Sequence, residues 1–274
     1  MAVVLVNGNP ETAAIWSLFD ALLARDDVAR LSPPGFGAPI PPGFECTVTG
    51  YRDWLIGELE SFPEPPHLVG HDVGGSTVVC VAMARPDLIR SWTSDSLGVF
   101  DPDYEWHPLA RTWQTPGEGE ASVAELLGGS VEERVRRMLG RGIDRAIAEQ
   151  IAPHQGGEMA SAIISFYRSA AQPAMAELGQ SLAAAATRPG LAIVGTEDAF
   201  VGSVEMRKRS ARRAGAQVQI LNGIGHWWMV QAPEAAARAV KRFWAKSDRS
   251  TVIVATWDTA AAPRSAAGAT ERDT

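Results

Sequence analysis

His67–Thr77 reads HLVGHDVGGST, and its centre, Gly70-His71-Asp72-Val73-Gly74, is a G-x-D-x-G pattern. A short apolar run, Leu68 and Val69, leads in, and a helix-like apolar run from Val78 to Met83 leads out. Strand, sharp turn and helix is the context in which G-x-nucleophile-x-G becomes a nucleophile elbow. The turn is strained, and the strand and helix pack so closely that the neighbouring positions need glycine. The middle position, commonly serine, is Asp72 here. The stretch therefore predicts a carboxylate presented on a tight turn.

Strand and helix signals alternate outward from that point. Val3–Val6 reads as a buried strand running into Asn7-Gly8-Asn9-Pro10. A helix is expected next, with Pro10 in its first turn and Ile15, Leu18 and Leu22 on one face. Asp27–Leu31 is a second strand, followed by a Pro- and Gly-rich loop, Ser32–Phe44, of the kind that rims active sites. Thr49–Phe62 reads as an amphipathic helix carrying Trp54, Leu55 and Leu59. The helix after the elbow is apolar all round, as a helix buried under a sheet would be. Ile89–Ser94 is the next strand and ends in Asp95. Residues 98–187 break the alternation: Val123–Leu127, Val131–Leu139, Ile143–Ile151 and Met159–Tyr167 have helical patterning, and no strand is convincing. Gly190–Val194 returns to strand and leads to Gly195-Thr196-Glu197-Asp198. Gln217–Leu221 leads to Gly225-His226-Trp227-Trp228. Pro233 opens a final helix expected to run through Trp244. Residues 247–274 read as a tail, in which Thr251–Trp257 has weak strand character.

Composition narrows the class. The 274 residues, 46% hydrophobic and 21% charged, suit one large α/β domain with an insertion. The net charge is −7, which argues against nucleic acid or an anionic membrane as partner. The opening MAVVLV is too short and lacks the basic start of a signal peptide. The two cysteines, Cys46 and Cys80, are too few for a disulfide framework and are expected as reduced thiols, so a cytoplasmic location is expected. The five histidines are scattered without metal-ligand spacing, and no metal is expected.

With these motifs in order, residues 1–246 resemble the Asp-nucleophile branch of the α/β-hydrolase superfamily, the epoxide hydrolases and haloalkane dehalogenases. The resemblance implies an α/β-hydrolase fold: a mostly parallel sheet flanked by helices, with an inserted helical cap. Residues 1–97 and 188–246 would form the core and 98–187 the cap, with 247–274 as a C-terminal tail. Family members have two or three strands before the Asn7-Gly8-Asn9-Pro10 loop, so the sheet is expected to be short on its first edge. The order nucleophile, acid, histidine maps onto Asp72, Asp198 and His226, with Asp95 as the alternative acid. Asp72 would attack carbon to form an ester, His226 would activate water, and the acid would hold the histidine's tautomer. Backbone N–H groups of Asn9 and Val73 are the expected oxyanion donors. His71 is expected to be a structural neighbour, and Trp227 and Trp228 pocket wall and core. No cofactor is implied.

The same resemblance leaves the leaving group open. The NGNP loop, with Trp16 following, is similar to the HGNP loop of dehalogenases, where the residue matching Asn9 helps hold the halide. Dehalogenases usually place Trp directly after the nucleophile, and here that residue is Val73, which has no side-chain donor. Epoxide hydrolases use two cap tyrosines. Phe166-Tyr167-Arg168 matches the segment carrying the second; counting back from Trp113-Gln114, the first position holds Leu109, with Tyr104 or His107 as substitutes. Trp106 and Trp113 are further expected substrate contacts. The expected activity is epoxide hydrolysis on a small apolar organic substrate. Haloalkane dehalogenation comes second, and a non-hydrolytic cyclase, lyase or binding descendant third. Oligomeric state is left open.

Overall fold

The computed structural model describes residues 2–260, with side chains through 248. Six strands form one sheet: β1 (Val3–Val6), β2 (Val28–Leu31), β3 (His67–Gly70), β4 (Ser91–Ser94), β5 (Gly190–Gly195) and β6 (Gln217–Leu221). Their order is β2-β1-β3-β4-β5-β6, every pairing is parallel, and β2 stands at one edge. Parallel strands covered on both faces read as continuous apolar runs, as VVLV and GLAIVG do, and every residue of β1, β3, β4 and β5 is buried.

Alternation along the strands divides the core in two. Val4, Val6, Leu68, Ala192 and Val194 pack on the side of α2 (Val48–Leu59), α3 (Val73–Ala84) and, further along the chain, Ala211 and Ala214 at the end of a helix over Val204–Arg213. Val3, Leu5, Val69, Leu191 and Ile193 pack on the other side, against Phe19 and Leu23 of α1 (Ser17–Leu23) and Val240, Phe243 and Trp244 of the final helix. Thr47 caps α2, its side chain accepting the Gly50 N–H.

Between β4 and β5 the described chain is helical: α4 (Pro108–Gln114), α5 (Glu118–Leu127), α6 (Val131–Leu139), α7 (Arg145–Ile151), α8 (Gly157–Ser169) and α9 (Ala174–Leu178). This insertion joins both cores. Val123, Ile163 and Phe166 extend the first, and Val135, Met138 and Ile147 extend the second. The helix over Val204–Arg213 is α10; α11 (Trp228–Gln231) and α12 (Pro233–Ala260) follow β6.

Three details depart from the sequence reading. Pro10 lies outside any helix: Thr12 caps a 3-10 turn at Ala13–Trp16, and α1 begins at Ser17. Leu18 and Leu22 are 39% and 36% exposed; the buried face is Ile15, Trp16, Phe19 and Leu23. An aromatic cluster turns the helix this way, with Trp16, Phe19 and Trp228 in mutual contact at 5.5–5.6 Å between ring centroids. Finally, the last helix runs past Trp244 to Ala260, so the expected tail begins within it and Thr251–Trp257 is helical rather than strand. The remainder of the expected tail, 261–274, lies outside the described residues.

Candidate active site

Because all six strands run the same way, their C-terminal ends open onto one edge of the sheet, where ligands bind in open α/β folds. β1 delivers Asn7 to Glu11, β3 delivers His71 and Asp72, β4 Asp95, β5 Asp198 and β6 His226. Asp72 sits at φ +52°, ψ −118°, a backbone conformation rare outside glycine. A Cβ on Gly74 would lie 2.4 Å from the Val6 carbonyl oxygen, and one on Gly70 2.4 Å from the Gly74 carbonyl oxygen. Neither position can accept a side chain without moving backbone. The turn is therefore the elbow expected of HLVGHDVGG, and it aims the Asp72 carboxylate out of the sheet.

Three expected residues meet there. His226 Nε2 is 3.5 Å from Asp72 Oδ2, and His226 Nδ1 is 2.9 Å from Asp198 Oδ2. Asp198 Oδ1 accepts the Phe200 N–H at 2.9 Å. Asp72 Oδ1 accepts the Asn9 N–H at 3.0 Å, and Val73 opens α3, so its N–H belongs to the first helical turn, which has no intrahelical partner. Burial alone would raise the Asp72 carboxyl. The hydrogen bond and charge of His226, the charge of His71 and the Asn9 N–H together outweigh it, and the net shift is downward. Burial alone would lower His226; the Asp198 charge and hydrogen bond, joined by those of Asp72, raise it well above the ordinary imidazole value. With Asp72 ionised, His226 thus rests as the imidazolium.

Asp95, the alternative acid, is committed elsewhere. Its Oδ2 accepts from His71 Nδ1 at 2.5 Å and from the Trp228 indole at 2.6 Å. Its Oδ1 accepts the Asp72 N–H at 3.0 Å and the Ser96 hydroxyl at 2.8 Å. Asp95 therefore clamps the elbow from beneath, whereas Asp198 faces His226. Glu11, not among the expected residues, is also buried here; its Oε1 accepts the Trp227 indole N–H at 2.7 Å and its Oε2 lies 3.8 Å from His71 Nε2. Burial first, then the Asp72 charge, raise the Glu11 carboxyl.

The insertion roofs the site over a cavity of about 60 Å³ bounded by Asn9, Asp72 and His226 below and Leu109, Trp113 and Tyr167 above. Val73 and Trp106 line a smaller space of about 20 Å³ that Asp72 and Tyr167 also border. Asn9 links floor to roof: its backbone N–H holds Asp72, and its side-chain Nδ2 donates to the Tyr167 hydroxyl at 3.4 Å. Burial, then the Asp72 charge, push the Tyr167 phenol well above its usual value, so it keeps its proton. The Trp113 indole N–H is buried and unpartnered among the described residues.

Of the two substitutes weighed for the missing tyrosine, Tyr104 is excluded. Its hydroxyl donates to the Phe200 carbonyl at 2.6 Å, and its ring lines neither space. Trp106 likewise spends its indole N–H on the Ala170 carbonyl, at 2.9 Å, and contributes wall alone. His107 lines both spaces. Its Nδ1 caps α4 by accepting the Ala110 N–H at 3.2 Å. That bond fixes the tautomer with the proton on Nε2, and burial pushes the imidazole down to about 4, so it is neutral near neutral pH.

Comparison with known proteins fits this geometry. A family model described as the alpha/beta hydrolase family matches residues 3–239, and the chain belongs to that family. An uncharacterized protein of Synechocystis sp. (strain ATCC 27184 / PCC 6803 / Kazusa) is 34% identical over 109 residues; the match covers 36% of this chain and 42% of that protein, so the chain aligns with less than half of its length. Among solved structures, a haloalkane dehalogenase, DbeA from Bradyrhizobium elkani USDA94, superposes with TM-score 0.67 at 23% identity, covering 91% of each chain. An E-2-(acetamidomethylene)succinate hydrolase superposes with TM-score 0.65 at 18% identity, covering 88% of this chain and 90% of its own. A thioesterase domain from the curacin biosynthetic pathway gives 0.64 at 16%, covering 88% and 90%. At these identities the likeness is one of fold. Among the described residues, no His/Cys/Asp/Glu cluster suits a metal, and no helix is long and apolar enough to cross a membrane. Cys46 and Cys80 are both free and buried.

Proposed function

We propose that the chain is a hydrolase that opens a small organic epoxide through an ester to Asp72, with residues 98–187 acting as a cap over the core formed by 1–97 and 188–246. One observation carries the choice of leaving group. The Tyr167 hydroxyl accepts from Asn9 Nδ2, which leaves its own proton free, and the same Asn9 holds Asp72. Carboxylate and phenol are thus positioned by one residue on either side of the cavity. Asp72 Oδ2, ionised without help from a base, attacks the less hindered epoxide carbon. The C–O bond breaks, and the Tyr167 O–H, seconded by the neutral His107 Nε2–H, supplies the hydrogen bond and proton the alkoxide needs.

The ester removes the Asp72 charge. That charge is one of the interactions raising His226, so esterification itself lowers the histidine's proton affinity; the imidazolium proton is released to restore the Tyr167 phenol that protonated the alkoxide, and the neutral Nε2 then takes a proton from water. Hydroxide attacks Asp72 Cγ, the developing oxyanion forms on Oδ1 against the Asn9 and Val73 N–H groups, and collapse releases the diol and restores the carboxylate. Asp198 compensates the imidazolium throughout.

A second reading, haloalkane dehalogenation, has one observation in its favour: the buried, uncommitted Trp113 indole N–H beside Asn9, a donor suited to a departing halide. Turnover of styrene-oxide-type epoxides against bromo- and iodoalkanes, in wild type and Tyr167→Phe, separates the two. The epoxide reading expects diol formation that falls by orders of magnitude in Tyr167→Phe. Halide release that is fast and insensitive to the Tyr167 change would replace it with the second reading.

A further inference from the structure

The cavity lining contains one charged group the reaction does not use. Arg141 follows α6 and lines the same space as Asp72 and His226. Its guanidinium carbon sits 5.9 Å from the centroid of the Trp227 ring, and Trp227 in turn packs 5.2 Å from the His226 ring. Among the described residues no carboxylate or carbonyl is hydrogen-bonded or ion-paired to it. The half-buried arginines of α6 and other nearby arginines differ, although the exposed Arg136 also has no side-chain partner among the described residues. Arg134 donates to the Ala152 and Gln155 carbonyls, Arg137 to the Gly128 carbonyl, and Arg145 pairs with Glu132 and Glu149. The buried Arg207 is tied to the Gly195 and Asp198 carbonyls.

Arg141 thus meets the cavity through a cation–π contact with Trp227 rather than through a hydrogen bond. Its planar fork of five N–H donors has no partner among the described residues, and the lining it shares includes the apolar Leu109, Leu126 and Phe200. Arg141 is half-buried rather than enclosed, and that partial burial depresses its pKa. The opposing field comes from Glu11, but that carboxylate is engaged with the Trp227 indole and makes no contact with the guanidinium. An unpaired guanidinium on an apolar wall is well matched to a ligand carboxylate, which it can grip by two parallel bonds. Trp227 touches both Arg141 and His226, so the two ends of one ligand can reach both from the same cavity.

We infer that the substrate has an apolar body ending in a carboxylate, with the reactive carbon at Asp72 and the carboxylate on Arg141. This inference rests on the proposed function for the identity of the reacting end, and it adds the anionic end to the apolar substrate expected from the sequence.

The test compares matched pairs of equal carbon count, an ω-epoxyalkanoate with the terminal epoxyalkane and an ω-bromoalkanoate with the bromoalkane, in wild type, Arg141→Gln and Arg141→Lys. Wild type should favour the carboxylate of whichever pair it turns over. Arg141→Gln should cut that preference in kcat/KM at least tenfold, mainly through KM, and Arg141→Lys should restore part of it. An equal preference in wild type and Arg141→Gln would overturn the inference. A binding arm makes it independent of turnover: octanoate and octanol are titrated into the protein while tryptophan fluorescence is followed. Octanoate binding that is tighter than octanol binding, weakens with salt and is lost in Arg141→Gln supports the anion site even if neither pair is turned over, in which case the proposed reaction alone falls. Turnover without any Arg141-dependent octanoate binding or carboxylate preference leaves the reaction standing and removes the anion site.

Discussion

Asp198→Asn should be nearly inactive in the second half of the reaction, and the structure shows why the amide cannot adapt. Asp198 uses both oxygens: Oδ1 accepts the Phe200 N–H at 2.9 Å and Oδ2 meets His226 Nδ1 at 2.9 Å. An asparagine must keep its oxygen toward Phe200 or leave that half-buried N–H facing an NH2 group. Its NH2 therefore faces His226 and donates to Nδ1. The imidazole is then forced into the tautomer protonated on Nε2, the atom that has to take the proton from water. A triad with the wrong tautomer loses about 10⁴ in rate, equivalent to about 5.5 kcal/mol of transition-state stabilisation. Attack by Asp72 needs no base, so ester formation should survive. The assay is rapid-quench single turnover with intact-protein mass spectrometry. The variant should show near-wild-type appearance of the alkyl adduct and a deacylation rate lower by about three to four orders of magnitude. Deacylation within tenfold of wild type would refute the assignment of Asp198 as the orienting acid.

Two further outcomes follow from the same network. Asp95→Asn should act on stability more than on turnover: the carboxylate accepts four donors, from Asp72, Ser96, His71 and Trp228, and an amide would turn an NH2 against two of them. A loss of about 3–5 kcal/mol is expected, read from urea midpoints, and a loss below about 1 kcal/mol would show that the clamp beneath the elbow matters little. The pH profile of the two chemical steps should also split. His226 is raised in the free protein and is the base only when deprotonated, so deacylation should be slow at low pH, climb as pH rises through the His226 value in the ester state, and then level off. Ester formation, which uses the already ionised Asp72, should be flat over the same range; parallel profiles for both steps would contradict the two roles.

Much of this architecture is legible in the sequence because it rests on local pattern. VVLV, HLVG and GLAIVG are strands buried on both faces and can hardly be anything else, and a glycine-flanked Asp72 between such a strand and an apolar helix fixes the elbow. Asp198 and His226 are legible because each follows a strand end by a few residues. What the sequence hides is decided by partners far along the chain. Ile15–Leu18–Leu22 and Ile15–Phe19–Leu23 are equally good helical stripes, and Trp228, more than 200 residues away, chooses between them. Asp95 and Asp198 are interchangeable as letters. They differ in that His71 and Trp228 converge on one and Phe200 on the other. Glu11 looks like an ordinary turn residue until Trp227 closes on it. Arg141, just past the end of α6, reads as an ordinary surface arginine, and only the fold brings it to the cavity lined by Asp72 and His226.

The covalent step is the centre of the account, and isotope labelling in a single turnover tests it most directly. Protein in excess over an active epoxide is reacted in ¹⁸O-water, and both the diol and the peptide containing Asp72 are weighed. If Asp72 forms the ester, the oxygen it transfers comes from the protein: the first-turnover diol carries no label, and Asp72 acquires ¹⁸O. A diol labelled in the first turnover, with Asp72 unlabelled, would mean that water attacks the substrate directly and that Asp72 is not the nucleophile.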